Sequence, residues 1–130
     1  GRLYHCEHRT PDLVWRPEWL DHPNGFSGID ALTIESPAPE ADAALYAAAT
    51  GTAAEAAGDG WTLRLGETRV AIVPGPAARF AALGLHFRGL DALEARSAVL
   101  PEATWVRHGP DAADLTLPAF DLRLPCRAAP

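Results

Sequence analysis

The sequence reads as an α+β chain in which two βαβββ modules pair, their curved mixed sheet enclosing a cleft. Strictly alternating apolar segments, a helical segment after each leading strand, and a repeat of the whole element order carry that reading. The 130 residues are 48% hydrophobic and 22% charged, proportions of one globular domain rather than of a disordered chain or a tandem of small ones.

Residues 29–35, Ile-Asp-Ala-Leu-Thr-Ile-Glu, have a strand's β-branched content. A helix is predicted from Glu40, with Ala41, Leu45 and Ala48 on one face and Gly51 as its stop. A weak strand near Ala53–Ala57, the turn Gly58-Asp59-Gly60 and the alternating run Trp61–Leu65 follow. Gly66-Glu67 then turns the chain into Arg69–Val73.

The order then repeats. Phe80–Phe87 reads as a strand, and Asp91-Ala-Leu-Glu94 as a capping box opening a helix to Leu100, before Pro101. Strands are predicted at Thr104–His108, Ala113–Leu117 and Phe120–Leu124. Leu63, Leu65, Val70 and Ile72 align at constant offset with Leu115, Leu117, Leu122 and Leu124. With a slip of one residue, Leu32 and Ile34 align with Leu85 and Phe87. Duplication accounts for this best, giving modules 26–75 and 79–126 within a domain spanning 26–130. Alternation sends Ala81, Leu83, Leu85 and Phe87 to the helix, and Ala82, Gly84, His86 and Arg88 to the cleft. The same parity points Thr33, Arg64, Asp121 and Arg123 at the open side.

All 11 basic side chains are arginine, and 17 acids leave a net charge of −6, which argues against a nucleic-acid partner. No run approaches the roughly 20 apolar residues of a membrane helix, and no leader is apparent. Two cysteines, Cys6 and Cys126, do not make a disulfide framework, so free thiols and a cytoplasmic location are expected. The absence of methionine implies a piece of a longer protein. Arginine without lysine and an alanine-rich helix suggest a GC-rich, bacterial genome.

Paired βαβββ modules resemble the vicinal oxygen chelate superfamily (glyoxalase I, extradiol dioxygenases, bleomycin- and fosfomycin-resistance proteins). The stretch Tyr4-His-Cys-Glu-His-Arg-Thr-Pro-Asp-Leu-Val-Trp-Arg-Pro-Glu-Trp19, followed by His22-Pro-Asn-Gly25, resembles the junction segment of bacterial glyoxalase-like domain proteins. The resemblance implies that residues 1–25 are an arm leading from an absent upstream module, with 3–9 a terminal strand of that module. It also implies a glyoxalase/bleomycin resistance/dihydroxybiphenyl dioxygenase-like fold. A lactoylglutathione lyase-like or dioxygenase-like activity is within its range.

Metal-dependent members of that superfamily hold a divalent cation with His and Glu on the first and last strands of each module. At those positions this sequence offers Thr33, then Arg69 or Ala71, then His86, then Asp121 or Arg123. His86 and Asp121 are candidate ligands; the rest are not. On a strand, Cys6 and His8 would share one face and His5 and Glu7 the other, so His5, Glu7 and His8 are further candidates. The plainer expectation is no metal, with Cys6 packed as a small apolar group and the histidines bonded to backbone. A Cys6–His8 nucleophilic dyad has no orienting acid. No nucleophile elbow or phosphate loop is present.

The cleft reading therefore rests on a small organic, anionic ligand contacted by His86, Arg88, Arg64, Arg123 and Thr33. Pairing of these arginines with Asp114 or Asp121 at a solvated rim fits the sequence equally well. Trp15 and Trp19 are expected to clamp the arm onto the sheet, and Trp61 and Trp105 to pack in the core. The partner expected besides the ligand is a second copy of the chain, as a homodimer, or the missing module, joined through the exposed strand 3–9.

Overall fold

Alternation along the chain becomes eight strands in one sheet, ordered β2-β3-β4-β1-β5-β8-β7-β6, in a computed structural model that describes residues 6–128. The first half comprises β1 (Phe26–Ser36), α2 (Pro39–Thr50), β2 (Ala54–Ala57), β3 (Gly60–Leu65) and β4 (Thr68–Pro74). The second comprises β5 (Arg79–Phe87), α3 (Asp91–Ser97), β6 (Thr104–Arg107), β7 (Ala112–Leu117) and β8 (Leu122–Ala128). A single-turn helix, α1 (Pro17–Leu20), lies in the arm. From the seam between β1 and β5, each half runs outward in the order first, fourth, third, second strand. The inner pairs β1–β4 and β5–β8 are parallel, and the seam itself is antiparallel.

One apolar face of each half forms a core beneath its helix. Ile34, Ala43, Leu63, Val70 and Ile72 make the first, with Trp61, Leu65 and Tyr46 against it. Phe87, Leu90, Ala113, Leu115 and Cys126 make the second, with Leu85, Leu93, Trp105 and Leu124 against it. Helix α2 begins at Pro39, whose missing N–H costs nothing in a first turn. Buried Ser36 accepts a hydrogen bond from Ala38 N at 2.9 Å and donates one to Asp42. Gly51, at φ 70°, ends the helix in the left-handed conformation.

Three expected boundaries shift. Helix α3 ends at Ser97 rather than Leu100, leaving Val99 and Leu100 exposed. Its capping box does not form: Leu90 is the cap, Glu94 N donates to Leu90 O, and Arg107 takes the Asp91 and Glu94 carboxylates at 2.9 and 2.7 Å. Residues 118–120 form a 3-10 turn and Asp121 sits at φ 47°, so the last strand starts at Leu122 and runs past Pro125.

The arm corrects the sequence reading further. Residues 6–9 are not a strand, and Cys6 is exposed rather than packed; residues 3–5, with His5, lie outside the described residues. Trp15 and Trp19 are 60% and 56% exposed and clamp nothing to the sheet. Trp15 lies beside the His8 ring, and the Arg16 guanidinium covers Trp19. The arm is instead fastened at its end. Arg88 N donates to Gly25 O at 2.7 Å, its side chain binds His22 O at 3.0 Å and the Asp21 carboxylate, and His22 packs on Phe26. Among the described residues no helix is long and apolar enough to cross a membrane.

Candidate functional site: an arginine-lined cleft

Each strand that buries alternate residues beneath a helix must aim the others at the opposite face. Leu63 and Leu65, Val70 and Ile72, and Leu32 and Ile34 face the first core. Arg64, Arg69, Ala31 and Thr33 therefore look the other way, where Ala82, Gly84, Arg123, Pro125 and Arg127 meet them around a cleft of about 520 Å³. Asp30 and Glu67 supply its carboxylates.

Asp30 reaches this face through a bulge. Ile29 pairs with Leu85 and Ala31 with Gly84, so Asp30 is an extra residue opposed by none. A Cβ at position 84 would collide with Asp30 Oδ1 and the Ala31 side chain, so glycine there makes room for the bulged carboxylate. Asp30 Oδ2 comes within 3.0 Å of His86 Nε2. That contact is close but poorly directed, and Nε2 makes no hydrogen bond among the described residues. His86 lies next to Arg127 in the parallel β5–β8 register.

The arginines divide into tethered and free. Arg9, Arg16, Arg79, Arg88, Arg107 and Arg123 each lie within 4.0 Å of a carboxylate. Arg64, Arg69, Arg96 and Arg127 have no such partner among the described residues, and all but Arg96 line the cleft. Arg64 and Arg69 stand directly opposite each other across β3 and β4. Like charges in that register destabilise a sheet unless something neutralises them.

Arg123 donates to Asp114 Oδ2 at 2.8 Å, and His108 Nε2 shares that oxygen at 2.8 Å. Burial alone would push the Asp114 carboxyl up. The hydrogen bonds from Arg123 and His108, with their charges, outweigh it and hold the group below its ordinary value. Arg123 thus occupies both positions foreseen for it, on the cleft wall and in an ion pair with Asp114.

Thr33, Arg64 and Arg123 come together at the cleft, and His86 meets it through Asp30. Arg88 does not: its side chain fastens the arm, because β5 ends at Phe87 and the chain has left the sheet there. Asp121 lies in a turn, 82% exposed, against Arg79, which also binds Glu35 at 2.7 and 3.1 Å. Glu7 and His8 sit in the exposed arm, Glu7 beside Arg9.

A divalent metal does not fit this cleft. His86 and Asp30 are neighbours, but no group of three His, Cys, Asp or Glu side chains converges among the described residues, and the flanking groups are guanidiniums.

The sequence reading does not select Asp30, Arg69 or Arg127 as ligand contacts. Arg69 was legible, since a two-residue turn at Gly66-Glu67 pairs Leu65 with Thr68 and so Arg64 with Arg69. Arg127 is hidden by taking Pro125 as a strand end, and Asp30 by a bulge that alternation cannot foresee.

No protein-family model matches the sequence, and no curated protein does. Solved structures do. A halotolerant catechol dioxygenase, BphC, matches with TM-score 0.62 and 13% identity over 81% of this chain and 40% of that one. The 2,2′,3-trihydroxybiphenyl 1,2-dioxygenase of Sphingomonas wittichii matches with TM-score 0.60 and 18% identity over 78% and 40%. Methylmalonyl-CoA epimerase from Mycobacterium tuberculosis matches with TM-score 0.52 and 14% identity over 84% and 93%. The chain spans about two fifths of the length of those dioxygenases. The fold is that of the vicinal oxygen chelate proteins.

Proposed function

We propose that this vicinal oxygen chelate domain binds a small organic anion in the cleft between its two halves, without a metal. One observation carries the reading: in a chain of net charge −6, three of the four described arginines that lack a carboxylate partner line this one concave face. Charges of one sign on a concave low-dielectric wall focus their field on its interior. Arg64, Arg69 and Arg127 supply charge and forked donors, Arg123 adds a partly engaged guanidinium, and Thr33 offers a hydroxyl between them. His86 stands outside this lining, its buried Nε2 against Asp30, and takes no direct part in holding the ligand.

Differential scanning fluorimetry against aromatic and aliphatic carboxylates tests this. Carboxylates should raise the melting temperature while their amides do not, and salt should weaken the effect because the site is open. Arg64→Gln with Arg127→Gln should abolish the shift, whereas Arg88→Gln should leave it intact. Equal stabilisation by amides, or a shift that survives the loss of Arg64 and Arg127, overturns the proposal.

A further inference from the structure

The arginines of the cleft are not one cluster but two. Arg64 and Arg69 form a facing pair on β3 and β4. Arg123 and Arg127 lie on one face of β8, with Pro125 between them. Between β4 and β8 stand β1 and β5, so the pairs are three inter-strand steps apart, about 14 Å along the sheet. A single carboxylate or phosphate held by one pair leaves the other pair without a counter-ion.

The intervening floor is built of small residues, with the Asp30 carboxylate lying over Gly84. Ala31, Thr33, Ala82 and Gly84 cover it, which leaves space along the line joining the two pairs. Asp30 and Glu67, the lining carboxylates, are not within ion-pair distance of Arg64, Arg69 or Arg127 among the described residues. Arg64 and Arg69 therefore have no carboxylate of their own among the described residues to offset their mutual repulsion.

Resting on the proposed anion-binding reading, we infer that the ligand class is a short molecule with two separated acidic groups. Arg64 and Arg69 hold one group, and Arg127, helped by Arg123, holds the other. The chain between the acids lies over Ala31 and Ala82. The α,ω-dicarboxylates have this chemistry, as do carboxylates that bear a phosphate at the far end.

The probes are glutarate and adipate, their monomethyl esters, and inorganic phosphate, titrated calorimetrically into the wild type, Arg64→Gln with Arg69→Gln, and Arg127→Gln. The diacid that best matches the span should bind about ten-fold or more tighter than its monoester, which keeps only one set of charge-assisted bonds. Loss of either arginine set should bring the diacid down to the monoester's affinity and change the monoester by about two-fold at most, since it retains the other end. A monoester and phosphate that match the best diacid overturn the two-ended ligand while leaving anion binding intact. No binding by any probe overturns both.

An independent readout needs no ligand. Arg64→Gln removes a like-charge opposition on an exposed surface and should leave the melting temperature unchanged or higher. A clear fall would mean that the pair serves the sheet rather than a ligand.

Discussion

The two halves of the sheet share a topology but close their cores by different means. In the first, a 12-residue, alanine-rich α2 presents Ala43, Tyr46 and Ala47 to the strands, and a fully buried Ser36 fixes its entry. In the second, a 7-residue α3 contributes Leu93 to the core from within the helix, with Leu90 at its cap, and is latched to β6 by Arg107 across Asp91 and Glu94. One helix is held by propensity, packing and a buried hydroxyl; the other, too short to be stable by itself, is held by two leucines and an ion-pair latch. The cleft mirrors this. The first half leaves both of its cleft arginines free, whereas the second leaves Arg127 free and ties Arg123 to Asp114.

Core truncation should break the comparison most forcefully. Ile72 is completely buried in the first core, paired with Trp61 on one side and Ile34 on the other, so Ile72→Ala should cost about 3–5 kcal/mol in urea unfolding. Leu90 is 2% exposed at the cap of the shorter helix rather than inside a strand of the sheet, and Leu90→Ala should cost about 2–3 kcal/mol. A larger loss at Leu90 would show that the second core is the more rigid of the two.

A gentler contrast separates the two ways of holding a helix. Ser36→Ala removes, from a fully buried position, both the acceptor of the Ala38 N–H and the donor to Asp42, which should lower global stability by about 1–2 kcal/mol. Arg107→Ala should act locally, raising hydrogen exchange in α3 and leaving α2 protected. Equal exchange in both helices after the Arg107 change would mean that the ion pairs do not govern α3.

Element order was readable because it depends on local rules. Gly51 ends a helix wherever its left-handed φ is needed, and Leu63, Leu65, Val70 and Ile72 must share a face. What escaped depends on competition across the fold. Asp91 and Glu94 suit a capping box, yet Arg107, thirteen residues beyond Glu94, offers them stronger charge-assisted bonds. Pro125 reads as a strand end, but pairing with Asp114 keeps β8 in the sheet to Ala128 and brings Arg127 to the cleft. The Asp30 bulge has no local signal, since only Gly84 on the neighbouring strand makes space for it. Thr33, Arg64 and Arg123 were legible because they obey alternation. Arg88 misled because the strand stops one residue before it.

The smallest effect bears on the tether that distinguishes Arg123, one of the second half's two cleft arginines, from those of the first. Asp114 is 16% exposed, and its carboxyl titrates below the ordinary 3.8 because hydrogen bonds from Arg123 and His108 outweigh burial. A carboxyl depressed in the folded state contributes stability above its unfolded pKa and loses it as the pH falls through the folded one. Asp114→Asn should therefore be less stable than the wild type near pH 6, with the gap closing below about pH 4 as the wild-type carboxyl takes up its proton. The same change weakens the grip on Arg123 and frees its guanidinium for the cleft, so the variant should bind a dicarboxylate slightly more tightly near neutral pH even though it folds less stably. Opposite signs in stability and affinity are the signature of a tether. If both fall together, Asp114 is positioning Arg123 for the ligand rather than restraining it, and both halves of the cleft then hold their arginines ready for an anion.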